Sequence, residues 1–399
     1  MALRRSLLPA TVVLVLAVPG VSSAFTSSQL ATSVARESSS LGPWSSILVK
    51  DLDSGQTLYS LRPDMRLIPA SNQKLFTTSV ALMRHGPDAT ISTTLRAPVA
   101  NVLDPVTGIL PGNIYLVGAG DPTLQDTNLR ALARSLREAG VLQIGGGIIA
   151  DENYFDTRRG SVRTNWKFDL DIGGQLSALS YRHGRTGSAL AAANRLATLI
   201  EATGTSIAGP ARRGRLVQPG TELAAVASPT VAQLARMINV PSENFYAEVL
   251  AKQLGAAFGT GGTTPAGMAV MRSTLAESAG ISPVLADGSG LSRNNRTSTR
   301  QLVRLLETLH QDPVAGLPFA ASLPRAGLDG TLKRRMRGSA AAGNCAAKTG
   351  TLIGVSSLAG YCTTAGGATV AFAMIENRVN SGVAKLIEDR VVKKIVRYG

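Results

Sequence analysis

The first residues that could do chemistry together are Ser71-Asn72-Gln73-Lys74, an S-x-x-K spacing. A serine hydroxyl is a weak nucleophile at its own pKa and needs a neighbour to take its proton. Positions i and i+3 share a helix face, so Lys74 can approach Ser71, and burial or nearby cations can turn a lysine into a base. Taken alone, the same spacing is that of a helix cap followed by a surface lysine. The second triplet, Ser242-Glu243-Asn244, directly follows Pro241. Its hydroxyl could relay a proton between Lys74, Ser71 and a leaving amine, and the Asn244 amide could hold a carbonyl while its donor side meets Lys74. Alone, this is an ordinary helix start. The third, Lys348-Thr349-Gly350-Thr351, falls in an alternating, strand-like stretch. A strand edge offers its backbone to an extended peptide, and Gly350 permits close approach. Lys348 is expected to supply a fixed positive charge to a carboxylate, and the N–H groups of Thr351 and Ser71 an oxyanion hole. Any one motif is weak. The three in this order, each in a fitting context, point to acyl transfer through a serine.

Positioning these groups falls to elements whose periodicity is readable. Residues 75–83 place Leu75, Phe76, Val80 and Met83 at helical spacing, with Gly86 as a stop, so Ser71 and Lys74 sit at the mouth of a helix. Residues 46–52 and 57–61 alternate as two strands around the turn 53–56. Helical patterning recurs at 231–237 and 245–254, and Ser298 to Gln301 reads as a capping box opening a helix to about His310. The last quarter reads as a meander over 345–352, 356–363 and 368–375, followed by an amphipathic helix from Val383 to Val396. Strands at both ends with helices between imply one mixed domain closed from both termini. Between 91 and 223 glycine and proline are frequent and the candidate strands are short, such as 114–117 and 147–150, which reads as an inserted domain of strands and loops.

Composition narrows the alternatives. The chain has 399 residues, 44% of them hydrophobic, enough for a sizeable core. Arg4 and Arg5, the apolar run 7–18 and the small residues Ser22-Ser23-Ala24 read as a secretory signal over 1–24, and so as an exported protein of the periplasm or cell envelope. An uncleaved anchor is the competing reading of that segment. No later stretch is long and apolar enough to span a membrane, which leaves at most peripheral contact. The net charge of +15 suits anionic surroundings, yet the basic residues are scattered and carry no nucleic-acid-binding motif. The only histidines, His85, His183 and His310, form no metal-ligand pattern, so no metal is expected. No G-x-S-x-G elbow occurs, and Asp151 with Glu152 reads as a solvated loop pair.

The three motifs, together with Ala119-Gly120-Asp121-Pro122-Thr123-Leu124, Asp287-Gly288-Ser289-Gly290-Leu291-Ser292-Arg293 and Asp329-Gly330-Thr331-Leu332, resemble the class C low-molecular-mass penicillin-binding proteins of D-alanyl-D-alanine carboxypeptidase/endopeptidase type. The resemblance implies an α+β, penicillin-binding/serine β-lactamase-like fold with a five-stranded antiparallel sheet flanked by helices. It implies a discontinuous peptidase domain over 25–90 and 224–399 and an inserted, mainly β domain over 91–223. It further implies Ser71 as nucleophile, Lys74 as base, and Ser242, Asn244 and Lys348 as their partners. Peptidoglycan stem peptides are the implied substrates, β-lactams the covalent inhibitors, and no cofactor is required. A β-lactamase or D-amino-acid esterase or amidase of the same fold is the alternative, as is a catalytically silent wall-binding protein. Two departures stand out: the stretch between Lys74 and Ser242 is shorter than usual for the family, and Glu243 replaces the customary aspartate. By the same resemblance the charged loop 151–160 lines the cleft, with Asp156 meeting a free amino group on the substrate's third residue; the plain alternative is a solvated turn.

Cys345 and Cys362 are the only cysteines, and in an exported chain pairing is favoured. A hairpin turning at Ile353-Gly354 sets Cys345 opposite Cys362 and Lys348 opposite Ala359, with the cysteines on the face away from Lys348. The competing reading is two buried free thiols.

Overall fold

The computed structural model describes residues 24–185, 187–218 and 220–399. All but Ala24 of the expected signal segment lies outside them. The central sheet is antiparallel, ordered Cys345–Leu352, Val355–Thr363, Thr369–Asn377, Ser45–Asp51, Thr57–Leu61. The N-terminal hairpin thus completes the sheet begun by the C-terminal meander. The strand Thr369–Asn377 is nearly all apolar rather than alternating, because both of its faces are buried. One face packs under the helices Ser27–Ser38 and Ser381–Ile395 around Leu30, Phe372, Val391 and Ile395. The other carries Gln73–His85, Val231–Asn239, Asn244–Phe258, Thr264–Ala279 and Thr299–Gln311, sealed by Phe76, Leu250, Leu306 and Ile375. The capping box at Ser298 and Gln301 forms with both of its hydrogen bonds.

The register between Cys345–Leu352 and Val355–Thr363, the first hairpin of the C-terminal meander, is the one its spacing implies. Cys345 lies opposite Cys362, Lys348 opposite Ala359, and Leu352 opposite Val355, leaving Ile353-Gly354 as the turn. Gly354 takes a left-handed φ of 74°, which the turn requires. The two cysteines are bonded, with Cα atoms 4.1 Å apart.

The segment between the first two motifs builds its own core. Strands Ser92–Pro98 and Gly220–Ala227 pair and close it, and with Ile114–Gly118, Ile148–Asp151 and Arg212–Arg213 they form a second five-stranded sheet. Beside the expected strands stand two long helices, Asp126–Glu138 and Ser188–Glu201. Leu129, Leu132, Ala133 and Leu136 give the first a clear apolar stripe, which packs on Leu95, Leu116 and Leu196. The glycine-rich flanks hide these helices when the segment is judged by composition alone.

Candidate active site

A 3-10 turn, Ala70–Asn72, leads into the helix Gln73–His85 and holds Ser71 at its mouth. Ala70 has a φ of 47°, a costly conformation for a residue with a side chain. Two glycines let neighbouring backbone close around this turn. A Cβ on Gly350 would sit 2.8 Å from the Pro69 carbonyl oxygen and 3.0 Å from the Ser71 nitrogen. One on Gly290 would sit 2.0 Å from the Ala70 oxygen. The strand of the third motif and the loop 287–293 therefore reach Ser71 only because both positions lack a side chain.

The strand Cys345–Leu352 is an edge strand, and its first half is covered. Ala347 N–H donates to the Pro324 oxygen at 3.0 Å, and the Cys345 oxygen accepts from Ala326 N–H at 2.9 Å. Backbone groups alternate between the two sides of a strand, so Thr349 and Thr351 face this same edge, past the end of the covering segment. Thr351 N–H is thereby presented on the open edge beside the Ser71 turn, the arrangement an oxyanion hole requires. The Thr349 hydroxyl instead lies 2.8 Å from that of Thr331.

Lys74 is fully buried, and all three of its directions are used. Its Nζ lies 3.0 Å from Ser71 Oγ, 2.6 Å from Asn244 Oδ1 and 2.7 Å from the Ser289 carbonyl oxygen. The two carbonyl-type oxygens can only accept, so they take two N–H bonds whether the amine is charged or neutral. In the neutral amine the lone pair is left for the Ser71 hydroxyl. Burial lowers the Lys74 pKa to about 8, against the attraction of Asp287, Glu248 and Glu243.

Asn244 departs from expectation in its orientation. Its oxygen, not its amide nitrogen, meets Lys74, since an ammonium offers only donors. The nitrogen donates to the Asp171 carbonyl at 2.8 Å and so ties the second motif to the inserted segment. Ser242 takes a left-handed φ of 66°. Among the described residues its hydroxyl bonds neither Ser71 nor Lys74, so the expected relay has no direct contact in this state. Glu243 caps the following helix through Phe245 N–H and meets His183 Nε2 at 3.4 Å.

Lys348 corrects a second expectation. It is fully buried, and its Nζ donates to the Thr349 carbonyl at 2.9 Å. Burial, with Lys74 nearby and no acid paired to it, holds its pKa well below the usual lysine range. Both causes work against the fixed positive charge that the sequence reading expected. Asp156 corrects a third. Its carboxylate is bound by the Lys252 ammonium at 2.6 Å and by Arg158 N–H at 3.1 Å. Lys252 lies two turns along its helix from Asn244, about 12 Å by helical rise. Asp156 therefore neutralises a buried cation instead of presenting a free carboxylate beside Ser71. Neither plain sequence reading, solvated turn or substrate contact, anticipated this, because Lys252 looks like any exposed helical lysine.

Sequence reasoning also missed Ser289, Glu248 and Asp171. Two of these act through backbone carbonyls, which leave no residue signature. Among the described residues no group of three or more His, Cys, Asp or Glu side chains is placed to hold a metal ion.

The profile of the D-Ala-D-Ala carboxypeptidase 3 (S13) family matches residues 27–173 and 181–397. A D-alanyl-D-alanine carboxypeptidase from an Actinomadura species is 30% identical, over 90% of this chain and 82% of its own length. Carboxypeptidase DacB of Mycolicibacterium smegmatis is 31% identical, over 82% of this chain and 75% of its own. In fold the chain is similar to penicillin binding protein 4 of Haemophilus influenzae, with a TM-score of 0.78 and 21% identity over 92% of this chain and 99% of that one. This chain belongs to the D-Ala-D-Ala carboxypeptidase 3 (S13) family.

Proposed function

We propose that this protein is a serine-type D-Ala-D-Ala carboxypeptidase that cleaves peptidoglycan stem peptides through an acyl-enzyme on Ser71. The observation that carries the reading is the 3.0 Å contact of Lys74 Nζ with Ser71 Oγ, with the other two lysine directions anchored. Ser71 gives its proton to neutral Lys74 and attacks the carbonyl of the penultimate D-Ala. The oxyanion is received by the N–H groups of Ser71 and Thr351. The terminal D-Ala leaves as an amine, taking the proton, and water later hydrolyses the ester. Gly350 and the open strand edge suit the extended peptide, and Lys348 receives its terminal carboxylate. A cross-bridge offers the same carbonyl with a different leaving amine, so D,D-endopeptidase action uses the same machinery.

A β-lactam presents a strained amide and a carboxylate to the same groups. Its leaving nitrogen stays tethered to the acyl group, so the adduct persists. Residues 91–223 are proposed as an inserted domain that borders the cleft through the Asp171 carbonyl. The signal-like N-terminus supports action outside the cytoplasm, in the periplasm or cell envelope. No helix among the described residues is long and apolar enough to cross a membrane.

Intact-mass detection of a penicillin adduct, mapped to a residue, tests the assignment. The wild type should carry one adduct on Ser71 and Ser71→Ala none. Full labelling of the alanine variant would sink the reading.

A further inference from the structure

The loop 287–293 is strung between two helices by hydrogen bonds, of which the reading above uses only that from Lys74 to the Ser289 carbonyl. Three consecutive carbonyls accept from one face of the helix Gln73–His85. Asp287 takes the Gln73 amide at 2.9 Å, Gly288 the Thr77 hydroxyl at 2.7 Å and Ser289 the Lys74 amine at 2.7 Å. The opposite side of the loop is held by carboxylates. Glu248, one turn into the helix Asn244–Phe258, accepts Gly288 N–H at 3.1 Å and Ser289 N–H at 2.8 Å on a single oxygen. Asp287 accepts Gly290 N–H, Ser292 N–H and the Asn295 amide at 2.6 to 2.9 Å. Glu248 and Asp287 are both almost completely shut off from solvent.

We propose that Glu248 is a positioning residue for the acylation step. It aims the Ser289 carbonyl at Lys74 through the loop backbone, and its charge sets how readily Lys74 loses its proton. The proposal rests on Lys74 being the base for Ser71. Two features of the arrangement support it. The Ser289 N–H and C=O are engaged at once, by Glu248 and by Lys74, so a shift of the carboxylate moves the carbonyl. Glu248 is also the less well-solvated of the two acids, with two donors on one oxygen against three donors spread over both oxygens of Asp287. Burial and the Asp287 carboxylate push its pKa up to about 7, so it changes charge in the pH range where a base on Ser71 must work. The charged groups facing this pair are Asp287 on the loop, Glu243 and Lys252 on the Glu248 helix or its cap, and Lys74 itself, with Lys348 acting on Lys74 from the strand.

An ionised Glu248 stabilises the Lys74 ammonium and so holds the base in its unreactive form. Removing that charge must lower the Lys74 pKa and carry the acid limb of acylation to lower pH. Glu248→Gln keeps an oxygen for both N–H groups and removes the charge, its second oxygen becoming an NH2. Its acid limb for penicillin acylation should move down by about one pH unit, with one adduct still formed on Ser71. Glu248→Asp keeps the charge but withdraws the oxygen. Its limb should stay in place while the acylation rate falls at least tenfold at every pH, read on folded protein that still forms one adduct on Ser71. A Glu248→Gln limb that coincides with wild type overturns the proposal, as does a Glu248→Asp variant with wild-type rates. A Lys74→Arg variant that acylates at the wild-type rate would overturn the underlying base assignment instead. Carbon-13 NMR of the glutamate carboxyls gives a second reading, with the Glu248 signal assigned by its loss from Glu248→Gln and so kept apart from that of the buried Glu376, whose pKa is also raised. The Glu248 carboxyl must titrate in the pH range of the acid limb, and a Glu248 signal that does not titrate there also overturns the proposal.

Discussion

Lys74 and Lys348 are both sealed from solvent and sit within reach of each other's charge, yet their surroundings are opposite. Lys74 has two fixed acceptors, a serine hydroxyl and three acids in its field, so burial lowers its pKa only to about 8. Lys348 has one backbone carbonyl and a neighbouring cation, and nothing offsets the burial that holds its pKa well below the usual lysine range. A third buried lysine, Lys252, holds Asp156 at 2.6 Å and belongs to neither case. Burial alone therefore does not make a lysine catalytic. What the ammonium finds in place of water decides whether it is a base, an anion receptor or a structural ion pair.

The largest effect should come from removing the base without removing the charge. Arginine cannot give up its proton in a protein, so Lys74→Arg should slow penicillin acylation by about 10²–10⁴-fold. Rapid-quench labelling measures this, and a loss under tenfold would break the assignment of Lys74 as base. The sign of the wild-type pH profile follows from the same logic. Lys74 accepts a proton only when neutral, so the acylation rate should climb as pH rises toward about 8.

The Lys252 pair should respond in stability rather than turnover. Asp156→Ala strands a buried ammonium, at a cost of about 3 kcal/mol in chemical denaturation. Peptides with a free and with a blocked amino group on the third residue should then lose activity equally. A selective loss on the free-amino peptide, at unchanged stability, would return Asp156 to the substrate site.

The smallest change is expected at Lys348. A charge-assisted hydrogen bond to a carboxylate is worth roughly 1.5–3 kcal/mol, so Lys348→Ala should slow acylation at least tenfold, and Lys348→Arg should restore part of it. The loss should be confined to substrates with a free carboxylate, and equal losses with and without one contradict the comparison. Because the free-state pKa is depressed and an anion raises it, carboxylate binding should take up a proton at pH values between the two. Calorimetry in buffers of different ionisation enthalpy reads that uptake, and a value of zero across the pH range would leave Lys348 as a permanent cation.

By itself the sequence determined the parts that depend on short-range periodicity. Three residues of helix bring Lys74 to Ser71. Period-two alternation sets Cys345 against Cys362 and turns Lys348 to the opposite face. The box at Ser298 and Gln301 starts a helix where its hydrogen bonds say it should. Tertiary structure decided what surrounds those groups. The Ser289 carbonyl reaches Lys74 from 215 residues away and the Asp171 carbonyl reaches Asn244 from 73 away. Every residue carries a carbonyl, so no residue type announces which one will be aimed. The pKa shifts of Lys74, Lys348 and Glu248 likewise arise in three dimensions, because desolvation and Coulomb attraction depend on distances between chain segments that no local pattern encodes.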